Sequence, residues 1–234
     1  MREKNGKLIA LCGIDASGKT TQARLLRERA EEEGLKVEHV SFPRYGESFF
    51  ADLVQRYLRG EFGEEPGQIS PYLAALPYAC DRWQTRDQLR RWLAAGRLVV
   101  CNRYVPANLA HQGSKLRDQA ERRRFFDWEA ELEYEVFELP RPDLQILLDM
   151  PPEAAVRLRK GRDLKRGIEQ QGLDIHEADF EYLRATSQTY RQVAAETPGP
   201  WTIIPCAENG AIREPERIAE DVWSEVRRAL YNEE

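Results

Sequence analysis

Gly13-Ile14-Asp15-Ala16-Ser17-Gly18-Lys19-Thr20 matches the pattern G-x-x-x-x-G-K-[ST] at each fixed position. The apolar run Leu8-Ile9-Ala10-Leu11-Cys12 before it predicts a buried strand. Thr21-Gln22-Ala23-Arg24-Leu25-Leu26 after it carries apolar residues at helical spacing. A loop between a strand and a helix N-terminus turns its backbone N–H groups inward, and the helix dipole adds partial positive charge where a polyphosphate sits. Gly13, Ile14, Asp15, Ala16, Ser17, Gly18, Lys19, Thr20 and Thr21 are thus the expected contacts of a nucleotide's phosphates. Lys19 reaches toward the β and γ phosphates, and the Thr20 hydroxyl is placed to hold Mg²⁺. The ordinary alternative is an accidental match in a Gly-rich turn, and the flanking strand and helix speak against it.

Outward from this loop, short apolar runs recur between long helical patterns, at 8–12, 37–42, 98–101, 144–148 and 201–204. A βαβα order of this kind predicts a five-stranded parallel sheet flanked by helices on both faces, the three-layer α/β fold of phosphate-loop NTPases. Ligands of such sheets bind beyond the carboxyl ends of the strands. At 234 residues the chain reads as one domain, residues 1–234. Residues 159–171 break the pattern. They are rich in Arg, Lys and Gly, and read as a basic flap closing over the phosphates.

The net charge of −5 and the lack of a basic stripe argue against a nucleic-acid binder. The four cysteines form no C-x-x-C pair and no zinc spacing, and read as small buried apolar residues of a reducing compartment. With no charged-then-apolar leader and no membrane-length apolar run, the expectation is a cytoplasmic protein with no membrane partner.

Further motifs fall at the predicted strand ends. Asp15 is an acid inside a loop built for anions. Either it binds a hydroxyl of a second substrate, or it points to solvent. Phe42-Pro43-Arg44 ends the second strand and carries a planar guanidinium suited to a phosphate dianion. Tyr78 and Arg82 lie four apart, on one helix face, where a ring can stack on a base while the guanidinium grips a phosphate. A core tyrosine with a surface salt bridge from Arg82 to Asp81 or Asp87 is the plainer reading of that pair. The third strand runs into Asn102-Arg103-Tyr104-Val105-Pro106-Ala107-Asn108-Leu109-Ala110-His111.

With these segments in this order, the chain resembles the thymidylate kinases, which phosphorylate dTMP with ATP. The likeness continues through Pro140-x-Pro142-Asp143-Leu144 to Leu148-Asp149-Met150-Pro151, the basic flap and Tyr190. The resemblance implies that Asp15 holds the sugar 3′-hydroxyl and that Arg44, Arg82 and Arg103 clamp the acceptor 5′-phosphate. It also implies that Tyr78 stacks on thymine and Asn108 hydrogen-bonds its edge. His111 stands where the family commonly has an aromatic that crowds the sugar 2′ position, and imidazole crowds it less. The phosphate loop has no arginine, so a catalytic arginine falls to Arg159, Arg162 or Arg166 of the flap, with Arg162 the first choice. The implied cofactor is Mg²⁺ on Thr20, with Asn102 reaching it through water, and the implied partners are ATP, dTMP and a second copy of the chain. Helical stretches 69–93 and 120–137 are the candidate dimer faces.

Two positions depart from the family pattern. Asn102 replaces a usual Asp and Cys12 a usual Glu. The alternatives carried forward are a deoxynucleoside or broader monophosphate kinase of the same fold, and a degenerate non-catalytic nucleotide-binding protein.

Overall fold

The computed structural model describes residues 6–63, 69–166 and 180–231, with the side chains of 162–166 outside it. The order is β1 (Lys7–Cys12), α1 (Lys19–Glu32), β2 (Val37–Ser41), α2 (Phe49–Leu58), α3 (Pro71–Ala94), β3 (Leu98–Asn102), α4 (Val105–Gly113) and α5 (Gln119–Ala130). A wider π-helical turn, Glu131–Val136, extends α5. Then come β4 (Leu144–Asp149), α6 (Pro152–Arg166), α7 (Phe180–Glu196), β5 (Trp201–Pro205), the short pair β6 (Ala207–Glu208) and β7 (Ala211–Ile212), and α8 (Pro215–Tyr231).

β1 lies at the centre of the main sheet because it is apolar on both faces: Leu8 through Cys12 are wholly buried. Such strands read as continuous apolar runs rather than as alternation. β3 is buried along its whole length for the same reason, while edge strands β2 and β5 keep more contact with solvent. The sheet is parallel throughout, in the order β2-β3-β1-β4-β5, as the alternation predicts. Its register sets the height at which the loops begin. Asn102 is paired with Leu11 on one side and with Ser41 on the other, so β1, β2 and β3 end level.

Helix starts follow local chemistry. Ser48 accepts from the Ala51 N–H to begin α2, and Asp118 accepts from the Glu121 N–H to begin α5, each a side chain satisfying an otherwise orphan donor. The expected flap begins as helix. Residues 159–166 belong to α6, whose Arg, Leu and Lys content favours helix and whose Pro152 suits a helix start. Residues 167–171 lie outside the described residues.

α4 and α5 approach closely at Gly113, where an added Cβ would stand 2.7 Å from the ring of buried Phe126. The ring is hemmed in by the core and cannot swing away cheaply. Gly113→Ala is expected to destabilise the fold by about 1–3 kcal/mol through overpacking, read as a lower denaturant midpoint at unchanged slope.

Candidate active site

Because β1, β2 and β3 end level, the segments that leave them share one rim: the phosphate loop, Phe42-Pro43-Arg44 and Arg103-Tyr104. In the loop, Gly13, Ala16 and Gly18 have φ of 139°, 59° and 90°. A Cβ on Gly13 would lie 2.8 Å from the Leu148 carbonyl oxygen, so only glycine fits there. Lys19 is buried and donates through Nζ to the carbonyls of Gly13 (2.9 Å) and Ile14 (2.6 Å) and to Ser17 Oγ (3.3 Å). Burial and the positive charge of Arg103 push its ammonium down to about 7, against the opposing pull of Asp15.

Arg103 has its backbone in the left-handed region, φ 66°, and its N–H donates to the Leu11 carbonyl at 2.9 Å. A non-glycine residue held there costs roughly 1–3 kcal/mol and is kept where the surroundings over-determine it. The turn sends the guanidinium to Asp15 Oδ1, with which it forms an ion pair. Burial alone would raise the Asp15 carboxyl, but Arg103, with Lys19 behind it, holds it well below the usual carboxylate range. The second Arg103 nitrogen lies 3.0 Å from His111 Nε2. A guanidinium only donates, so Nε2 accepts and the proton sits on Nδ1, 3.2 Å from the Tyr182 hydroxyl. Tyr182 in turn donates to the His111 carbonyl at 3.1 Å.

Beside this cluster opens a cleft of about 400 Å³. It is lined by Asp15, Thr20, Tyr78, Arg82, Asn102, Arg103, Asn108 and His111, so eight residues singled out in the sequence meet in one place. Asn102 turns its Nδ2 toward Thr20 Oγ1 (3.4 Å) and Ser41 Oγ (3.3 Å), and its Oδ1 is buried without a partner among the described residues. Because the Thr20 and Ser41 hydroxyls accept as readily as they donate, the amide can flip and turn that orphan oxygen toward Thr20, where it would fit the water shell of a divalent cation. Among the described residues no group of three His, Cys, Asp or Glu side chains could hold a metal by itself.

Two of the expected phosphate clamps have other partners. Arg44 does not line this cleft: its N–H and Nε reach Asp81, at 2.9 and 3.2 Å, and its side chain borders a neighbouring cavity of about 690 Å³. Arg82 does line the cleft, but its Nε and Nη2 grip Glu133 at 2.5 and 2.6 Å. Neither of the plainer partners, Asp81 or Asp87, takes Arg82 up: Asp81 belongs to Arg44. Arg159 lies on α6, partly exposed, while the side chains of Arg162 and Arg166 lie outside the described residues. Sequence reasoning missed Glu129 and Glu133, both wholly buried, and Tyr45, Gln112 and Tyr182 of the cleft wall. The one available signal was a pair of carboxylates four apart amid Trp128, Leu132 and Tyr134.

A phosphate loop on the central strand, with a second, base-sized cleft over the neighbouring strand ends, defines a phosphate-loop nucleotide kinase. Residues 11–212 match the family described as Thymidylate kinase. The chain is similar to the thymidylate kinase of Mycobacterium tuberculosis, with 30% identity over 213 residues, 91% of this chain and 95% of that one. It is likewise 30% identical over 233 residues to the thymidylate kinase of Rhodopseudomonas palustris, 98% and 92% of the two chains. Its fold matches a thymidylate kinase from Candida albicans described as having broad substrate specificity, with TM-score 0.71 at 18% identity over 97% of this chain and 94% of that one. The chain belongs to the thymidylate kinase family.

The depressed Lys19 predicts a pH dependence for polyphosphate binding at the loop. Polyphosphate favours the ammonium, so binding above the free value of about 7 must draw in a proton. Calorimetry in buffers of different ionisation enthalpy is expected to show proton uptake on MgATP binding that grows as pH rises through 7. The uptake should vanish well below that pH and be absent in Lys19→Met.

Proposed function

We propose that this chain transfers the γ-phosphoryl group of MgATP to dTMP, giving dTDP and ADP, as one kinase domain over residues 1–234. The observation that carries the reading is the shared rim: the Lys19 loop and the Asp15–Arg103 pair open directly onto a cleft walled by Tyr78, Arg82 and Asn108. A donor phosphate on the loop and an acceptor phosphate at Arg103 then face one another, which is the positioning that phosphoryl transfer chiefly needs.

The acceptor phosphate is already ionised at neutral pH, so no strong general base is required. One of its oxygens attacks Pγ, and the bond from Pγ to the bridging oxygen of ADP breaks. Lys19 steadies the β and γ oxygens, and Arg103 holds the acceptor phosphate. Asp15 holds the sugar 3′-hydroxyl as well as Arg103. Tyr78 stacks on thymine, and Arg82, neutralised by Glu133, faces the base edge with Asn108 rather than the phosphate dianion. Arg44, committed to Asp81, acts by tying the end of β2 to α3. The flap arginines Arg159, Arg162 and Arg166 are the candidates to neutralise the transferring group. Magnesium, when bound, offsets phosphate charge; Thr20 would hold it, with Asn102 reaching it through water.

A second copy of the chain is the partner we propose, with the exposed Leu73 and Trp83 of α3 as apolar contact residues. Among the described residues no helix is long and apolar enough to cross a membrane, and the cytoplasm is the proposed site of action. The deoxynucleoside kinase alternative lacks a carboxylate at Phe42-Pro43-Arg44 to activate a 5′-hydroxyl.

ADP formation from MgATP is measured with dTMP, dUMP, UMP or thymidine as acceptor. Turnover is expected with dTMP, with a loss of at least about 100-fold in kcat for Lys19→Met. Asn102→Asp is expected to lower the Mg²⁺ concentration needed for half-maximal rate. ATP binding without dTMP-dependent ADP formation would sink the reading and leave a nucleotide-binding protein.

A further inference from the structure

Behind the cleft wall lies a buried polar cluster that the reaction itself does not use. Asn108, on α4, spends both amide hydrogens on acceptors: Nδ2 donates to the Ala75 carbonyl of α3 at 3.0 Å and to Glu129 Oε1 of α5 at 2.5 Å. Flipping the amide would set Oδ1 against a backbone carbonyl, which can only accept, so the orientation is chemically fixed. Oδ1 takes no donor among the described residues, and Asn108 lines the cleft. Asn108 therefore presents an acceptor.

Arg82 presents the opposite. Glu133 occupies its Nε and Nη2, Glu129 Oε1 lies 4.0 Å from Nη2, and the remaining nitrogen can only donate. Glu129 thus stands between the two side chains that face the base. It is wholly buried, and its Oε2 has no donor facing it among the described residues. A carboxylate in that state is costly. Burial and the Glu133 charge push Glu129 well above the usual carboxylate range. Carrying a proton, Oε2 becomes a donor to Glu133, and the orphan is resolved. The trio is then Glu129-H, Glu133⁻ and Arg82⁺, neutral as a whole.

We propose that Glu129 is a positioning residue for base selectivity: as a neutral acid it locks Asn108 as an acceptor and, through Glu133, Arg82 as a donor. An acceptor beside a donor pairs with a ring N–H next to a carbonyl, the 4-oxo pyrimidine edge. Cytosine offers a bare ring nitrogen next to an amino group, which sets acceptor against acceptor and donor against donor. A site built on buried polar groups rejects such a mismatch strongly, because its own groups are left unpaired. This inference rests on the dTMP-kinase reading and adds to it the residue that enforces selectivity.

The test compares wild type, Glu129→Gln and Glu129→Met for binding by calorimetry and for KM and kcat with dTMP and dCMP. Gln reproduces the neutral acid, accepting from Asn108 and donating to Glu133, and is expected to keep wild-type affinity and selectivity. Met leaves one Asn108 hydrogen unpaired. It is expected to raise the KM for dTMP about tenfold, with kcat much less affected, and to narrow the dTMP-over-dCMP preference by a similar factor. Infrared spectra at neutral pH should show a protonated-acid C=O band in wild type that Glu129→Gln lacks. Unchanged preference in Met, loss of selectivity in Gln, or no acid band in wild type would each overturn the positioning role. A wild type that binds neither nucleotide would instead overturn the kinase reading. Should the Met chain not fold, wild type still decides: equal binding of dTMP and its N3-methyl analogue refutes the acceptor orientation of Asn108.

Discussion

The parallel register across β2, β3 and β1 is the constraint on which the rest depends. Asn102 is flanked by Leu11 and Ser41, so three strands stop at one height and three loops begin there. Parallel pairing allows this because each connection returns through a helix and all carboxyl ends face the same way. A slip of one residue in β3 would turn Arg103 away from Asp15 and bury the wrong side chains. The apolar content of β1 and β3 therefore does more than build a core; it fixes the level at which the chemistry is assembled.

That rim is dense with charge, and three of its ion pairs join groups from different elements. Asp15 and Arg103 pair across loops, Arg44 and Asp81 join β2 to α3, and Glu133 reaches Arg82 from the π-helical turn. Removing one member of such a pair leaves an uncompensated buried charge, which costs several kcal/mol. The π turn fits this pattern. Extra width at the end of α5 lets Glu133 reach α3, and π turns often occur where a side chain must be re-aimed. The site is thus pre-organised by internal ion pairs, and Asp15, Arg103 and Arg82 all border the cleft.

The fold was legible because its signals are local. The phosphate loop, the apolar runs and the helical spacings each declare themselves within a dozen residues, and the five predicted strands match those of the main sheet, while the two-residue strands β6 and β7 carried no such signal. The gathering of Asp15, Tyr78, Arg103, Asn108 and His111 in one cleft was likewise foreshadowed by the rule that ligands sit beyond strand ends. What sequence could not give is the pairing of charges. Arg82 lies 51 positions from Glu133, and Arg44 lies 37 from Asp81, so nothing in either neighbourhood names the partner. An arginine whose carboxylate is distant in sequence reads as a free cation until the chain is folded. The same distance hid Glu129.

The two departures from the family pattern have one electrostatic consequence. Cys12 and Asn102 stand where a Glu and an Asp are usual, and both changes remove negative charge beside the loop. Cys12 is wholly buried, and burial raises its thiol to about 12, so it is neutral where a carboxylate would be charged. Among the described residues Lys19 is left with Asp15 as its one carboxylate counter-charge of note, and Asp15 is itself committed to Arg103. A buried ammonium with so little compensation is driven toward neutrality, and the Gly13 and Ile14 carbonyls are what remain to hold its proton. On the proposed reading, the polyphosphate, rather than the protein, is then the main counter-ion of Lys19, and charge that a Glu and an Asp would carry is left for the nucleotide to bring.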